Sequence, residues 1–412
     1  MRLATLSLLL YVASVGTLEC SPNSIALAQC AYTTTVLIKP PGWSSIEVLD
    51  LDDSGAVVGF FKYTGVYQHY PFRWTSSSGF EVLSGPTGVT QRAARAVVSG
   101  VLIAGDGHGS GYPTDTYQLV VWTSSGAVLV PPFAPTYLVD VHAAVATGLV
   151  VGGQGDGAVG LKPFAWRDGT YLALPNGLSD GVGVINSATI DDGVCGWYSA
   201  FLSGSLQYPF LGSLSGIALL PLIDGLVLPE ATCMNRCGHA VVTARTPTPP
   251  NKWHSYFWNG AAYQEIAMLP GVDSLSAWRM NEVDQTVGVA ILAPPLSGYP
   301  PILWMNGTTY DLKSLTDAAP NASFSFARAI NNNGVILVDG SQGATGGGFL
   351  LTPVTRDDAD ITLDCHVDYR DLMKVIDQWG PTANAFVPRA DLDHDGMIGA
   401  SDLAIVLGAW SP

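Results

Sequence analysis

The feature that most constrains this chain is a repeat. A turn followed by a short apolar run recurs at Asp53-Ser54-Gly55, Ser99-Gly100, Thr147-Gly148, Asp192-Gly193, Cys237-Gly238, Asp284-Gln285 and Asn333-Gly334. The glycine, or Gln285 in the sixth copy, returns at steps of 45, 48, 45, 45, 47 and 49 residues. A second register follows each turn by roughly twenty residues: Pro71-Phe72-Arg73-Trp74, Val121-Trp122, Pro163-Phe164-Ala165-Trp166, Pro209-Phe210-Leu211-Gly212, Tyr256-Phe257-Trp258, Ile302-Leu303-Trp304 and Phe349-Leu350-Leu351. Two registers in step through seven copies mean one structural unit used seven times.

A unit of about 46 residues, built of short β-rich runs with Gly, Ser, Asn and Asp at the turns, has the length of a four-stranded propeller blade. The turn density excludes a helical solenoid, and 48% hydrophobic with 13% charged residues excludes disorder. Each unit is expected to hold a strand before the turn, one after it, a third ending at the Trp, and a fourth such as residues 79–83 or 310–315. The five repeated Trp residues are expected to be packing anchors between blades. The last unit ends after its third strand, near residues 352–354, while Tyr32–Ile38 is a spare strand ahead of the first unit. Pairing the two would close the ring and remove both free edges. The expectation is an all-β seven-bladed β-propeller over residues 31–354, followed by a small α-helical domain. The stretch Ala327-Arg328-Ala329-Ile330-Asn331-Asn332-Asn333-Gly334-Val335-Ile336-Leu337-Val338 resembles the HAF-type extracellular repeat family, whose core is Ala-Ile-Asn-x-x-Gly-x-x-Val-Gly. That resemblance implies architecture and export and carries no catalytic residues across.

After the repeats, carboxylates fall at calcium-loop spacing. Asp391, Asp393 and Asp395 stand at positions 1, 3 and 5, Gly396 supplies the turn at 6, Met397 offers its carbonyl at 7, and Asp402 closes the shell at 12. Thirty-one residues upstream a weaker copy places Asp360, Thr362, Asp364, His366, Asp368 and Asp371 at positions 1, 3, 5, 7, 9 and 12, with Cys365 where Gly is usual. Both loops run into amphipathic segments, from Asp371 to Trp379 and from Asp402 to Trp410. Asp followed by Leu at position 12, with a helix on one side only, resembles a type I dockerin over residues 357–412. The resemblance implies two Ca²⁺ sites, the second stronger, and a cohesin-like or cell-surface protein partner. Dockerin contacts lie near loop positions 10 and 11, here Tyr369 with Arg370 and Ala400 with Ser401; the two halves differ, which argues against a symmetric dual-mode surface.

The N-terminus, Met1-Arg2 and then an apolar run over residues 3–16, reads as a secretory signal of residues 1–28, cleaved after Ala26-Leu27-Ala28. No membrane span is expected after cleavage, and the protein is expected outside the cell or at its surface. Neither Cys20 nor Cys30 is preceded by the small residue that lipidation signals favour. Of six cysteines, Cys233 and Cys237 are spaced to be joined across a turn, but counting does not settle the pairing. A net charge of −16 makes nucleic acid a poor partner.

The repeats contain no Gly-x-Ser-x-Gly elbow, no His-Glu-x-x-His, no phosphate loop and no sialidase-like turn. Asp50, Asp140, Glu230 and Glu282 each stand near the start of a unit and could meet across a central channel, although solvation at a strand end is the simpler reading. His108, His142, His239 and His254 show no ligand spacing. Two functions fit: a non-catalytic secreted binding or structural platform with a calcium-dependent docking or stabilising module, or a polysaccharide-degrading hydrolase or lyase delivered by that module. The first is preferred, with a polysaccharide as one ligand of the platform. The purified mature protein is therefore expected to show no hydrolase or lyase turnover on a panel of plant, algal and bacterial polysaccharides. Turnover lost on replacing Asp50, Asp140, Glu230 or Glu282 would reverse the preference.

Overall fold

The computed structural model describes residues 32–63, 65, 69–87, 89–98, 102–109, 117–131, 138–155, 160–175, 178, 182–199, 207–294, 297–316, 318–343, 345–354, 357–363 and 366–410. The expected signal segment, Asp364, Cys365 and the junction Thr355-Arg356 lie outside them. Among the described residues are seven four-stranded antiparallel sheets, the blades of a propeller. Blade 1 is Ser45–Leu51, Val57–Lys62, His69–Thr75 and Gly79–Val82. The first strands of blades 2 to 7 are Val89–Val98, Leu138–Ala144, Val182–Ala188, Val227–Met234, Val272–Met280 and Ala322–Ile330. These first strands adjoin one another round the axis, including that of blade 7 against that of blade 1. Tyr32–Ile38 pairs with Thr345–Pro353, running from Tyr32 opposite Pro353 to Ile38 opposite Gly347. The N-terminal strand thus completes blade 7 and closes the ring, as its place in the sequence suggests.

Each interface between neighbouring blades has its own apolar cluster. Blade 7 meets blade 1 through Leu37, Leu337 and Leu350 against Val48, Phe61 and Phe72; blade 2 meets blade 3 through Leu119 and Val121 against Val141, Phe164 and Trp166. The repeated Trp residues sit in these interfaces: Trp122, Trp166 and Trp304 are buried, and Trp74 and Trp258 are half-buried against the same clusters. Their rings cover apolar area between sheets, the packing role expected of them.

Two devices recur that explain the repeat motif. Every first strand carries a β-bulge at an equivalent place, at Val48/Asp50, Ala94/Ala96, Val141/Ala143, Ile185/Ser187, Ala231/Cys233, Ala277/Arg279 and Ala327/Ala329. The residue paired just before the bulge is Gly59, Gly105, Gly152, Gly196 and Gly288 in five blades, and Val242 and Val338 in the others. At each of those glycines a Cβ would lie inside contact distance of a first-strand carbonyl oxygen, that of Glu47, Ala93, Asp140, Val184 or Ser276. In these five blades the backbones come so close that only glycine fits, whereas blades 5 and 7 accommodate valine beside the same bulge.

The second device is the turn. Asp52, Asn235, Asn281 and Asn331 each fold a side-chain oxygen back onto the backbone N–H four residues on, at Ala56, His239, Gln285 and Val335. The following residue then donates its backbone N–H to the next blade: Arg236 to Glu282 Oε2 at 3.0 Å, Glu282 to Asn332 Oδ1 at 3.0 Å, and Asn332 to Asp53 Oδ1 at 2.8 Å.

The C-terminal region contains two helices, α1 (Tyr369–Asp377) and α2 (Ala400–Gly408), and a two-residue ladder of Gly380–Pro381 with Met397–Ile398. Its apolar core of Ala359, Ile361, Val367, Val375, Val387, Ala390, Ile398 and Val406 also takes in Val283, from the blade 6 turn. The cysteine bridge considered above is corrected: Cys233 and Cys237 are free. Cys233 points from the first strand of blade 5 into the apolar interface with blade 6, whereas Cys237 is exposed on the turn. Among the described residues no helix is long and apolar enough to cross a membrane.

Replacing Gly196 by Ala should lower stability by about 2 kcal/mol or more, since the new methyl must displace the Val184 backbone. Denaturant titration checks this, and an unchanged midpoint would remove the close-approach explanation of the motif.

Candidate functional site

The bulges and turns deliver polar side chains to one place. A cavity of about 520 Å³ lies where the turn face of the ring meets the C-terminal region. Its walls include Asp50 of blade 1, His142 of blade 3, Asn186 of blade 4, Arg236 of blade 5, and Arg279 and Glu282 of blade 6; residues 385–389 close it from above. Arg279 reaches across the channel to donate to the His142 carbonyl at 3.3 Å and to its neighbour Trp278 O at 3.1 Å. Of the four acids expected near the axis, Asp50 and Glu282 line the cavity. Asp140 stands 3.2 Å from His142 Nε2, and Glu230 lies within its electrostatic reach.

Burial sets the ionisation of these groups. It raises Asp50 to about 6 against the nearby Arg279 charge and the Val97 N–H, which donates to its carboxylate at 3.0 Å. Burial likewise raises Glu282 to about 7, opposed by the Arg236 N–H and guanidinium. Glu230 is raised for the same reason. Asp140 goes the other way: burial pushes it up, but the adjacent His142 outweighs this and holds it low. Acids split in this way could move protons, and Ser187 and Thr189 line the same cavity. His239 is bound to Asp284 at 2.8 Å and His254 to Glu265 at 3.1 Å, so both serve the scaffold.

The second acidic loop is a more defined arrangement. The carboxylate oxygens of Asp391, Asp393 and Asp395 lie within 4.8 Å of one another. Asp391 is 6% exposed, and its Oδ1 is buried without a hydrogen-bond partner; its Oδ2 accepts from Thr382 Oγ1 at 2.7 Å and Gly396 N at 3.1 Å. Gly396 takes φ +88°, which a side chain would disfavour, and lets the chain turn back under the carboxylates. Asp402 is fully buried on α2; its oxygens accept from Leu392 N at 2.6 Å and Gly399 N at 2.7 Å, which ties both ends of the loop to the helix start. Met397 lies in the short ladder with its side chain half exposed.

The upstream loop has the same frame with its donors engaged differently. Asp371 is buried and accepts from Thr362 N at 2.8 Å, Thr362 Oγ1 at 3.0 Å and Asp368 N at 2.8 Å. Asp368 caps α1 through Arg370 N at 2.7 Å and pairs with the Arg370 guanidinium at 2.8 Å. Asp360 is buried and His366 half-buried. Asp364 lies outside the described residues. A cation fits the downstream loop best, where a buried oxygen is left unsatisfied.

Glu282 and Asp50 lose their protons at higher pH in the folded protein than in the unfolded chain. The native state therefore holds extra protons between about pH 4 and 7, and stability falls as pH rises through 6 and 7. Glu282→Gln and Asp50→Asn should each gain on the order of 2 kcal/mol over the parent at pH 8 and nothing at pH 4. Thermal denaturation across that range checks this; parallel curves for parent and variants would remove the burial argument.

No family model matches the chain, and no curated protein matches it. Solved structures do. The β-propeller domain of the Trilobed protease from Pyrococcus furiosus, described by its open velcro topology, is 8% identical, with 75% of this chain and 94% of that chain aligned at TM-score 0.48. A prolyl endopeptidase is 10% identical over 76% of this chain and 46% of its own, at TM-score 0.49. The acylaminoacyl peptidase of Pyrococcus horikoshii is 10% identical over 75% and 51%, at TM-score 0.44. The chain thus spans about half the length of the two peptidases. At these identities the likeness concerns the fold, which the strand pairing establishes independently: a closed seven-bladed β-propeller.

Proposed function

We propose that the protein is a secreted, non-catalytic calcium-binding protein. Its HAF-like propeller serves as a binding or structural platform, and its dockerin-like C-terminal module, residues 357–412, serves calcium-dependent docking or stabilisation. The observation that carries this reading is the converging carboxylate set with the buried, unpartnered Asp391 Oδ1. A buried anionic oxygen without a partner is costly, and a hard cation with oxygen ligands removes that cost. In the downstream loop Asp391, Asp393, Asp395 and Asp402 and the Met397 carbonyl would hold it; in the upstream loop Asp360, Thr362, Asp364, His366, Asp368 and Asp371 would hold a second, weaker one. When bound, the cation neutralises the loop and orders it. The chain's own part is to fix the frame, with Asp402 tying the loop to α2 and Thr382 orienting Asp391.

An exported location would fit the same reading, because a carboxylate-rich loop stays loaded at extracellular calcium levels. Tyr369, Met373, Ile376 and Trp379 are exposed along and just beyond α1, and Ile405 and Trp410 on and beyond α2. They are the apolar surface such a module would offer a cohesin-like or cell-surface protein. Calorimetry on the full mature chain should show calcium binding with one tight and one weaker site. Asp395→Ala should abolish the tight one, since no neighbouring carboxylate replaces it. A flat titration of the parent would end the calcium reading.

A further inference from the structure

We propose that residues 385–389 are a lid over the mouth of the propeller channel, held shut by the cation loop that begins at Asp391. The inference rests on the calcium reading above.

The two halves of the C-terminal module are attached to the ring differently. Val283 of blade 6 enters the core that both halves share, and the upstream half is further anchored by Gln285 Nε2, which donates toward Thr362 O at 3.5 Å and Leu363 O at 3.4 Å. Leu363 also packs against Gly334, where even an added methyl would clash. The downstream half meets the ring through the lid. Arg236, on the blade 5 turn, places its guanidinium 3.8 Å over the Phe386 ring. Arg389 lines the cavity wall within electrostatic reach of Asp53 of blade 1.

The lid is held by these contacts, by Val387 and Ala390 in the apolar core of the module, and by its continuity with the loop. Gln378 Oε1, at the end of α1, accepts from Phe386 N at 2.6 Å and Val387 N at 3.2 Å. The single turn Pro388–Ala390 then runs directly into Asp391. Asp391 therefore cannot move without moving the lid. Without a cation, three carboxylates within 4.8 Å repel one another and one buried oxygen is unsatisfied, and both effects favour opening. With a cation the same groups attract a common centre. What the lid covers includes the polar groups Asp50, His142, Arg279 and Glu282, with Arg279 in no ion pair among the described residues.

Hydrogen exchange on the full mature chain, in calcium and in chelator, tests the proposal, with calorimetry run alongside. At free calcium a hundredfold above its dissociation constant, linkage gives about hundredfold slower exchange at residues 385–390. The turn at residues 235–238 should be protected with it, and strand Ala240–Arg245 should not change. Phe386→Ala should free the lid in the presence of calcium while calcium heat is retained. Calcium heat in the parent with equal exchange in chelator overturns the lid and leaves the calcium reading standing. Absence of calcium heat overturns both.

Discussion

The fold depends on the turns that end the first strands, led by Asp or Asn in blades 1, 5, 6 and 7. The leading side-chain oxygen takes the place of a backbone acceptor and closes the hairpin locally. The residue after it passes a hydrogen bond to the next blade, from Arg236 to Glu282 to Asn332 to Asp53. The last step joins blade 7 to blade 1, reinforced by Asn331 Nδ2 on Asp52 O at 2.9 Å and Asn333 Nδ2 on Asp53 O at 2.8 Å. In blades 5, 6, 7 and 1 one polar device thus sets both the hairpin and the stacking of blades, while apolar clusters fill the space between them. It also explains where the site is. Side chains of the relay face the channel mouth, so the groups that hold the ring together are those that line the cavity.

Much of this was legible in the chain. The seven copies, the closing strand and the interface Trp residues follow from period and residue type, because each blade repeats the same local physics. The Val-Gly signature was visible, but its cause was not: the bulge opposite Gly59 or Gly196 has no residue pattern of its own and shows only in the strand register. The convergence of Asp391, Asp393 and Asp395 was legible from spacing alone, since the geometry of a short loop is local. The assignment of Asp368 to capping α1 was not, as a cap and a ligand use the same side chain.

Long-range contacts were the blind spot. Arg279 meets His142 across 137 residues, and Arg236 meets Phe386 across the boundary between ring and module. Neither partner is marked in sequence. The module's shared core with Val283 shows how closely it is seated. Asp50 and Glu282 were singled out as axial acids and do reach the cavity, yet their raised ionisation comes from enclosure that only the assembled ring and module create.

The closing strand has a consequence in time. Tyr32–Ile38 is the first strand of the ring to be synthesised, but its partner, Thr345–Pro353, is made more than 300 residues later. For most of the chain's synthesis this strand waits with both edges bare, while six blades can form from contiguous sequence. Contacts so far apart are the slowest to form and leave an aggregation-prone edge exposed meanwhile. Thr33, Thr34 and Thr35 make that waiting segment polar, with Thr33 and Thr35 still facing solvent after closure. The ring is thus finished by its oldest piece, which has to stay soluble and unpaired until its last-made neighbour arrives.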